Sequence, residues 1–294
     1  MAHRAGFVNI IGRPNVGKST LMNALIGENL SIITSKAQTT RHRILGIVNG
    51  EDFQVVYSDT PGLLNPGYKL QEYMLKFARS ALMDADIILF VTDIQEGPGM
   101  STDMVQQIKK LSVPILTLIN KIDLGDAQKV NELIHLWQEA LPSATIIPIS
   151  ALKQFNLEKI FRLILESLPE SPPFYPKDEL TDKSERFFVS EIIRQKILVG
   201  YQQEIPYAVE VEVEQFKETE KIINISSIIY TERDTQKGIL IGHQGRALKK
   251  VGTQARRDIE KFLGKKVYLE LYVKVKKDWR NDSRALKQFG YNPT

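Results

Sequence analysis

The chain has 294 residues, 43% apolar and 25% charged, the composition of an ordinary globular protein with room for two cores. It contains no cysteine, which excludes disulfides, thiolate metal sites and cysteine nucleophiles and fits a reducing cytosol. The net charge of +4 is uneven: residues 1–180 hold 17 Lys and Arg against 19 Asp and Glu, residues 181–294 hold 22 against 16, and residues 237–287 alone hold 15 against 5. A basic C-terminal third points to a polyanionic partner.

The first elements are a short apolar run, "FVNIIG", and an amphipathic stretch, "STLMNALIG". The run has no cleavage-site pattern, so no signal peptide is expected. No apolar run anywhere approaches the roughly 20 residues that span a bilayer, so no transmembrane segment is expected either. Between the two lies "GRPNVGKS". It fits G-x-x-x-x-G-K-[ST] in the required context, after a strand and opening a helix. Gly12 and Gly17 free the backbone of the loop Arg13, Pro14, Asn15 and Val16 so that successive N–H groups on to Thr20, Pro14 having none, face a phosphate, and the helix N-terminus adds positive potential. Lys18 is expected to bridge the β- and γ-phosphates and the Ser19 hydroxyl to hold Mg²⁺.

Strands are predicted next in "RILGIVNG" and "FQVVYSD", joined by a turn signal and therefore antiparallel. The second ends in "DTPG". Asp59 there suits a Mg²⁺ water and the Gly62 N–H a γ-phosphate, with Thr60 and Pro61 between them. Further strands "DIILFVTD", "PILTLIN" and "ATIIPIS" alternate with helical stretches ending at "LEKIFRLILESL". Such nearly continuous apolar strands with intervening helices predict a mostly parallel six-stranded sheet covered on both faces. "NKID" ends the fifth strand and "SAL" follows the sixth. A carboxylate at Asp123 accepts from both N1–H and the 2-amino group of guanine, whereas adenine would leave it unpaired. Asn120 is placed to brace neighbouring loops and the Lys121 stem to cover the base. The Ala151 N–H, between Ser150 and Leu152, is placed to meet guanine O6. Four short motifs in this order, each at a strand's C-terminal end, form one ligand site.

Residues 1–168 are thus one predicted domain. "PESPPFYPKDELTD", residues 169–182, carries four prolines in eight positions and reads as an extended linker spanning up to about 40 Å. Residues 183–294 are predicted as a smaller α+β domain, ordered helix, strand, strand, helix, helix, strand and final helix. "SERFFVSEIIRQKILVGY" opens on a Ser cap. "YAVEVEVEQF" alternates strictly, with Val209, Val211 and Val213 on one face and Glu210, Glu212 and Glu214 on the other. Between the two central helices lies "GHQG", Gly242, His243, Gln244 and Gly245. Arg246, Lys249 and Lys250 follow within about one turn, and Arg256, Arg257 and Lys261 continue the positive helix. His243 either donates to phosphate or faces water. Trp279, with Lys276, Lys277 and Arg280, either stacks on a base or packs the last helix onto the sheet.

Residues 1–168 resemble a translation-factor-type GTPase, in the branch related to Ras but devoted to RNA machinery. The resemblance rests on "GRPNVGKS", "DTPG", "NKID" and on "QTTRHRI", which is similar to that branch's first switch segment. It implies that Thr40, or else Thr39, reaches Mg²⁺ and the γ-phosphate. It also implies that Asn15 binds K⁺ beside the phosphates, the alternative being that Asn15 braces the loop. In Ras a water-orienting Gln follows D-x-x-G; here Leu63 does, so catalysis must draw on Lys18, Thr40, Gly62, Asn15 and the cations. Residues 183–294 resemble a type II KH domain, whose G-x-x-G loop grips the backbone of about four single-stranded nucleotides beside an apolar groove. Together the halves resemble the Era family of bacterial GTPases over essentially the whole chain. That implies GTP hydrolysis to GDP and phosphate, binding of the 3′ end of 16S rRNA, and a role in 30S ribosomal subunit assembly and maturation. It further implies a cytoplasmic monomer with peripheral contact to the inner membrane, which no feature of the sequence itself displays.

Overall fold

The structure is a computed structural model describing residues 2–63 and 65–292. Its first sheet contains β1 (Arg4–Ile11), β2 (Ile44–Asn49), β3 (Phe53–Asp59), β4 (Ile87–Asp93), β5 (Ile115–Asn120) and β6 (Thr145–Pro148), ordered β2-β3-β1-β4-β5-β6. As the turn at residues 50–52 predicts, β2 and β3 are antiparallel; every other pair is parallel. Strands β4 and β5 are buried along nearly their whole length, which explains their unbroken apolar runs. Alternate residues feed two cores. Val8, Ile10 and Leu118 pack with Leu21 of α1 (Lys18–Ile26) and Ile160 of α5 (Leu157–Ser167). On the other face Ile11, Phe90 and Ile119 pack with Val105 of α3 (Thr102–Ile108) and Trp137 of α4 (Ala127–Ala140). Each fully buried Leu, Ile or Phe contributes roughly 1.5–3 kcal/mol relative to exposure. Because β1, β3, β5 and β6 run parallel, the motifs that follow them gather at one end of the sheet.

The second sheet, ordered β7-β8-β9, comprises β7 (Glu210–Glu218), β8 (Ile223–Thr231) and β9 (Val267–Val275), with β7 antiparallel and β9 parallel to β8. Helices α6 (Glu185–Gly200), α7 (Asp234–Ile241) and α8 (Arg246–Leu263) pack on it through Ile193, Ile197, Leu240, Val251, Ala255 and Ile259. Ser184 occupies the N-cap position of α6, but its hydroxyl makes no cap bond. The predicted alternation of β7 breaks twice. A bulge interrupts pairing between Val213 and Gln215, and Glu210, expected on the polar face, is buried.

The linker and Trp279 both prove more firmly held than sequence alone can tell. The proline-rich linker is not a free tether. Pro169 O accepts from the Ala5 N–H (3.2 Å), the Gln54 side chain bonds the backbone of Phe174 and Tyr175, and Leu180 O accepts from the Ile47 N–H (2.8 Å). The Thr181 hydroxyl donates to Leu45 O (2.6 Å) and Asp182 accepts from the Leu45 N–H (3.0 Å). An extended segment thus satisfies edge strand β2, which would otherwise present unpaired N–H and C=O groups. Nor does Trp279 face outward. It is fully buried, donates to Ala208 O (3.0 Å), and packs with Leu70 and Met74 of α2 (Lys69–Met83) and Leu286 of α9 (Ser283–Gln288). Arg280 turns inward with it, paired with Glu232 and lying over the Tyr68 ring. The second of the two readings of Trp279 therefore holds, but its packing partner is the first domain as much as its own.

Candidate functional site

A cavity of about 500 Å³ opens at the C-terminal end of the first sheet. Its phosphate end is the loop of residues 12–19, where Gly12, Asn15 and Gly17 have φ of 151°, 66° and 101°. Lys18 is buried and donates to the carbonyls of Gly12 (3.1 Å) and Arg13 (2.8 Å), so the lysine ties the loop around itself. Burial pushes its pKa down to about 8 against the opposing pull of Asp59 and Glu96, leaving an ammonium poorly compensated until anionic phosphate arrives. Gly62 lies so close to Pro14 that a Cβ there would fall 2.7 Å from the Pro14 nitrogen, which brings "DTPG" against the phosphate loop. Thr60 bonds Ile10 O (2.8 Å), while Val16 and Pro61 are buried behind the cavity wall.

Three oxygens converge beside Lys18. The Ser19 hydroxyl donates to Asp59 Oδ2 (2.6 Å) and lies 2.9 Å from the Thr40 hydroxyl, which donates to the same carboxylate (3.2 Å). The Thr39 hydroxyl instead donates to Lys36 O (2.6 Å) and faces Thr34. Asp59 is fully buried, its Oδ1 has no hydrogen-bond partner among the described residues, and burial raises its pKa against the bond from Ser19, the charge of Lys18 and the bond from Thr40. A buried orphan carboxylate oxygen with two hydroxyls is an all-oxygen donor set suited to Mg²⁺.

The base end is built by the last two motifs. Asn120 Nδ2 donates to Val16 O (2.8 Å) and its Oδ1 accepts from the Ala151 N–H (2.9 Å), so Asn120 ties the phosphate loop to "SAL" as expected. That same bond engages the N–H assigned to guanine O6. Lys121 reaches Asn15 O (2.7 Å) and Asp93 (2.8 Å), which lays its stem along the cavity. Asp123 accepts from the Ser150 hydroxyl (2.5 Å) through Oδ1. Leu152 and Leu124, 73% and 67% exposed, flank this end. Leu63 packs its side chain toward the α3–α4 core while its N–H donates to Gly12 O (3.3 Å).

In the second domain Gly242, Gln244 and Gly245 all have positive φ (70°, 50° and 75°), so the loop between α7 and α8 reverses sharply and leaves His243 and Gln244 exposed. Arg246, Lys249 and Lys250 are exposed on the next turn. Beside them lies a cavity of about 360 Å³, floored by Leu248, Leu269 and Leu271 and rimmed by Lys249, Thr253 and Arg256. An apolar groove here is what the resemblance to a type II KH domain implies. Its β9 wall was not legible in the sequence, because Leu269 and Leu271 alternate with exposed Tyr268 and Tyr272 and read simply as strand.

Sequence reasoning missed what joins the halves. Arg41, fully buried, donates to Val209 O (2.7 Å), Glu210 (3.0 Å), Tyr207 O (3.2 Å) and Pro206 O (3.4 Å), all in the second domain. Glu210 also accepts from the Tyr291 hydroxyl (2.7 Å). Burial works against the Arg41 charge, but Tyr291 and Glu210 outweigh it and its pKa is raised. His42 stacks on Tyr291 (4.2 Å between centroids), and burial, then Arg194, Lys183 and Arg41, push its pKa well down, so it is neutral.

Comparisons with known proteins agree with both halves. Residues 7–121 match the family model described as 50S ribosome-binding GTPase, and residues 204–280 match the KH domain model. The chain is 48% identical to GTPase Era of Alkaliphilus metalliredigens over 295 residues, covering 99% of this chain and 100% of the relative. It is 47% identical to GTPase Era of Clostridium kluyveri over 291 residues, covering 98% and 99%. Among solved structures it resembles Era in complex with MgGDPNP and nucleotides 1506–1542 of 16S ribosomal RNA, with a TM-score of 0.94 and 40% identity over 98% of this chain and 99% of that one. An Aquifex aeolicus Era variant bound to GDP·AlF4⁻ matches to the same degree. With a GTPase domain, a KH domain and near-full-length identity of this order, the chain belongs to the GTPase Era family.

Proposed function

We propose that this GTPase uses its nucleotide state to control its grip on the 3′ end of 16S rRNA during assembly and maturation of the 30S subunit. The observation that carries this is the junction of the two sites: the segment bearing Thr40 is bonded directly to the KH half through buried Arg41. The RNA named in the Era complex and the near-complete overlap of folds supply the partner's identity. Among the described residues no helix is long and apolar enough to cross a membrane.

In this reading Lys18 binds the β- and γ-phosphates, and the N–H groups of residues 15–20 wrap them. Ser19 and Thr40 would hold Mg²⁺, with Asp59 reaching it through water. The ion, when bound, neutralises charge on the β- and γ-oxygens. Asn15, exposed at the cavity mouth, offers its side-chain oxygen to K⁺. The Gly62 N–H senses the γ-phosphate. Asp123 reads guanine, Lys121 and Leu152 cover the base, and Ser150 orients Asp123. Leu63 cannot orient water through a hydrogen bond and packs away from the phosphates, so hydrolysis is slow, and Leu63→Ala leaves it within a fewfold of the parent rate. In the KH half Gly242 and Gly245 admit the RNA backbone, with His243, Gln244, Arg246, Lys249 and Lys250 around it and bases over Leu248, Leu269 and Leu271.

The test is RNA affinity at fixed salt with a non-hydrolysable GTP analogue, with GDP and with no nucleotide. The analogue tightens RNA binding, and RNA tightens the analogue by the same factor, as linkage requires. Identical RNA affinities in all three states would leave two uncoupled sites.

A further inference from the structure

We infer that Arg194, on the first helix of the KH half, is a positioning residue for the GTPase reaction, acting through the Thr39 carbonyl on Thr40. The inference rests on Thr40 being the threonine that answers to Mg²⁺ and the γ-phosphate, and extends it to a residue about 150 positions away that no nucleotide motif contains.

Arg194 is fully buried. One turn back on α6, Glu191 takes its guanidinium in a two-pronged pair, Nε to Oε1 at 2.7 Å and Nη2 to Oε2 at 2.5 Å. That pair fixes the plane of the fork, and the remaining N–H groups aim at the switch segment. Nη1 donates to Gln38 O (3.4 Å) and Nη2 to Thr39 O. Neighbouring residues of α6 hold the same segment: Gln195 donates to Ile33 O (3.2 Å), and Lys36 donates to Tyr201 O at the helix end. Thr40 is therefore gripped immediately before by Arg194 and immediately after by Arg41, both through the KH half.

Switch segments of GTPases are ordered chiefly by contacts with the γ-phosphate and Mg²⁺. Ordering a mobile residue costs conformational entropy, and a contact that fixes it beforehand lowers what the ligand must supply. Arg194 gives that preorganisation to Thr40, whose hydroxyl already lies 2.9 Å from Ser19 and 3.2 Å from Asp59. A buried charge-assisted bond to a carbonyl is among the stronger neutral-acceptor bonds, and a planar fork that serves Glu191 and two carbonyls together has no lysine equivalent. The effect belongs to the triphosphate state, because GDP lacks the group that Thr40 answers to.

The experiment measures affinity of the full chain for a non-hydrolysable GTP analogue and for GDP, both with Mg²⁺, plus kcat and KM for GTP. Arg194→Gln lowers analogue affinity about tenfold, leaves GDP within about twofold, and lowers kcat. Arg194→Lys recovers part of the loss. Thr40→Ala collapses the analogue-to-GDP preference, and adding Arg194→Gln to it changes little more, since both act through one hydroxyl. A folded Arg194→Gln protein with its preference intact, while Thr40→Ala loses it, overturns the inference and leaves the reading of Thr40 standing. A Thr40→Ala protein with its preference intact overturns both. If Arg194→Gln does not fold, Glu191→Gln, which frees the fork but keeps its charge, shows the same shift at smaller size; an unchanged preference there overturns the inference as well.

Discussion

A Cβ on Gly12 would lie 2.2 Å from the Val91 carbonyl oxygen, and one on Gly17 2.2 Å from Asn120 Nδ2, whereas a Cβ on Gly245 would meet nothing within 4 Å. Both loops need positive φ, but for different reasons. In the front loop the protein's own chain fills the space a side chain would take, and Lys18 donates to two of the loop's carbonyls. In the rear loop a Cβ on Gly242 would meet Ala247 Cβ at 2.6 Å, but at Gly245 the space is open, and glycine there keeps it free for a partner's backbone. The front loop is a socket closed by its neighbours and so can select one small ligand. The rear loop is an open edge beside a groove and suits a continuous strand.

The largest effect should come from breaking the socket. Gly17→Ala combines a strained φ with a collision against Asn120, and GTP binding should fall by about a thousandfold or more in a nucleotide titration. RNA binding without nucleotide should persist, and its loss too would mean that the loops are not independently built. Next is Asp123→Asn, which removes the charge that pairs with guanine. GTP should weaken by about a hundredfold and xanthosine triphosphate, whose 2-oxo group accepts, should become the better ligand in competition binding. Gly245→Asp places a carboxylate on the proposed path of the RNA phosphates. RNA binding should drop at least tenfold while GTP affinity and Tm barely move, because the side chain enters open space, at the cost only of strained φ. Replacing K⁺ by Na⁺ should slow GTP turnover severalfold, and Asn15→Ala should erase the difference; equal rates in both salts would remove that cation from the mechanism. The smallest effect is Lys249→Ala. RNA affinity should fall a fewfold for every sequence alike, with the salt slope reduced by about one, as expected of a phosphate contact that reads no base.

How much of this was legible follows the same contrast between local and distant causes. "GRPNVGKS", "DTPG", "NKID" and "GHQG" are contiguous, and glycine, lysine and carboxylate at fixed spacing carry their chemistry within a few residues. The mostly parallel, two-faced sheet followed from apolar runs for the same reason, whereas the strand order did not. Arg41, Arg194 and Glu210 escaped because charged side chains ordinarily read as solvated, and Glu210 sat in a strand whose alternation sent it outward. What buries Glu210 is a guanidinium 169 positions away and the Tyr291 hydroxyl 81 positions on, pairings that no local period can encode. The prolines of residues 169–176 announced an extended segment. They could not announce that β2, an edge strand with vacant donors and acceptors, would hold it down.

The stacking of His42 on Tyr291 has a consequence for synthesis. A ribosome adding about 5–20 residues per second needs roughly 12 to 50 s to travel from residue 42 to residue 291. During that interval the first domain can close its sheet and form the phosphate loop, since those pairings lie within its own residues. The segment around Thr40 lacks its Arg41 partners until β7 emerges, and His42 has Phe77 and then Phe187 beside it before the Tyr291 ring stacks on it. A nascent chain that has not reached residue 291 is therefore expected to hold guanine nucleotide with its switch segment still incompletely seated.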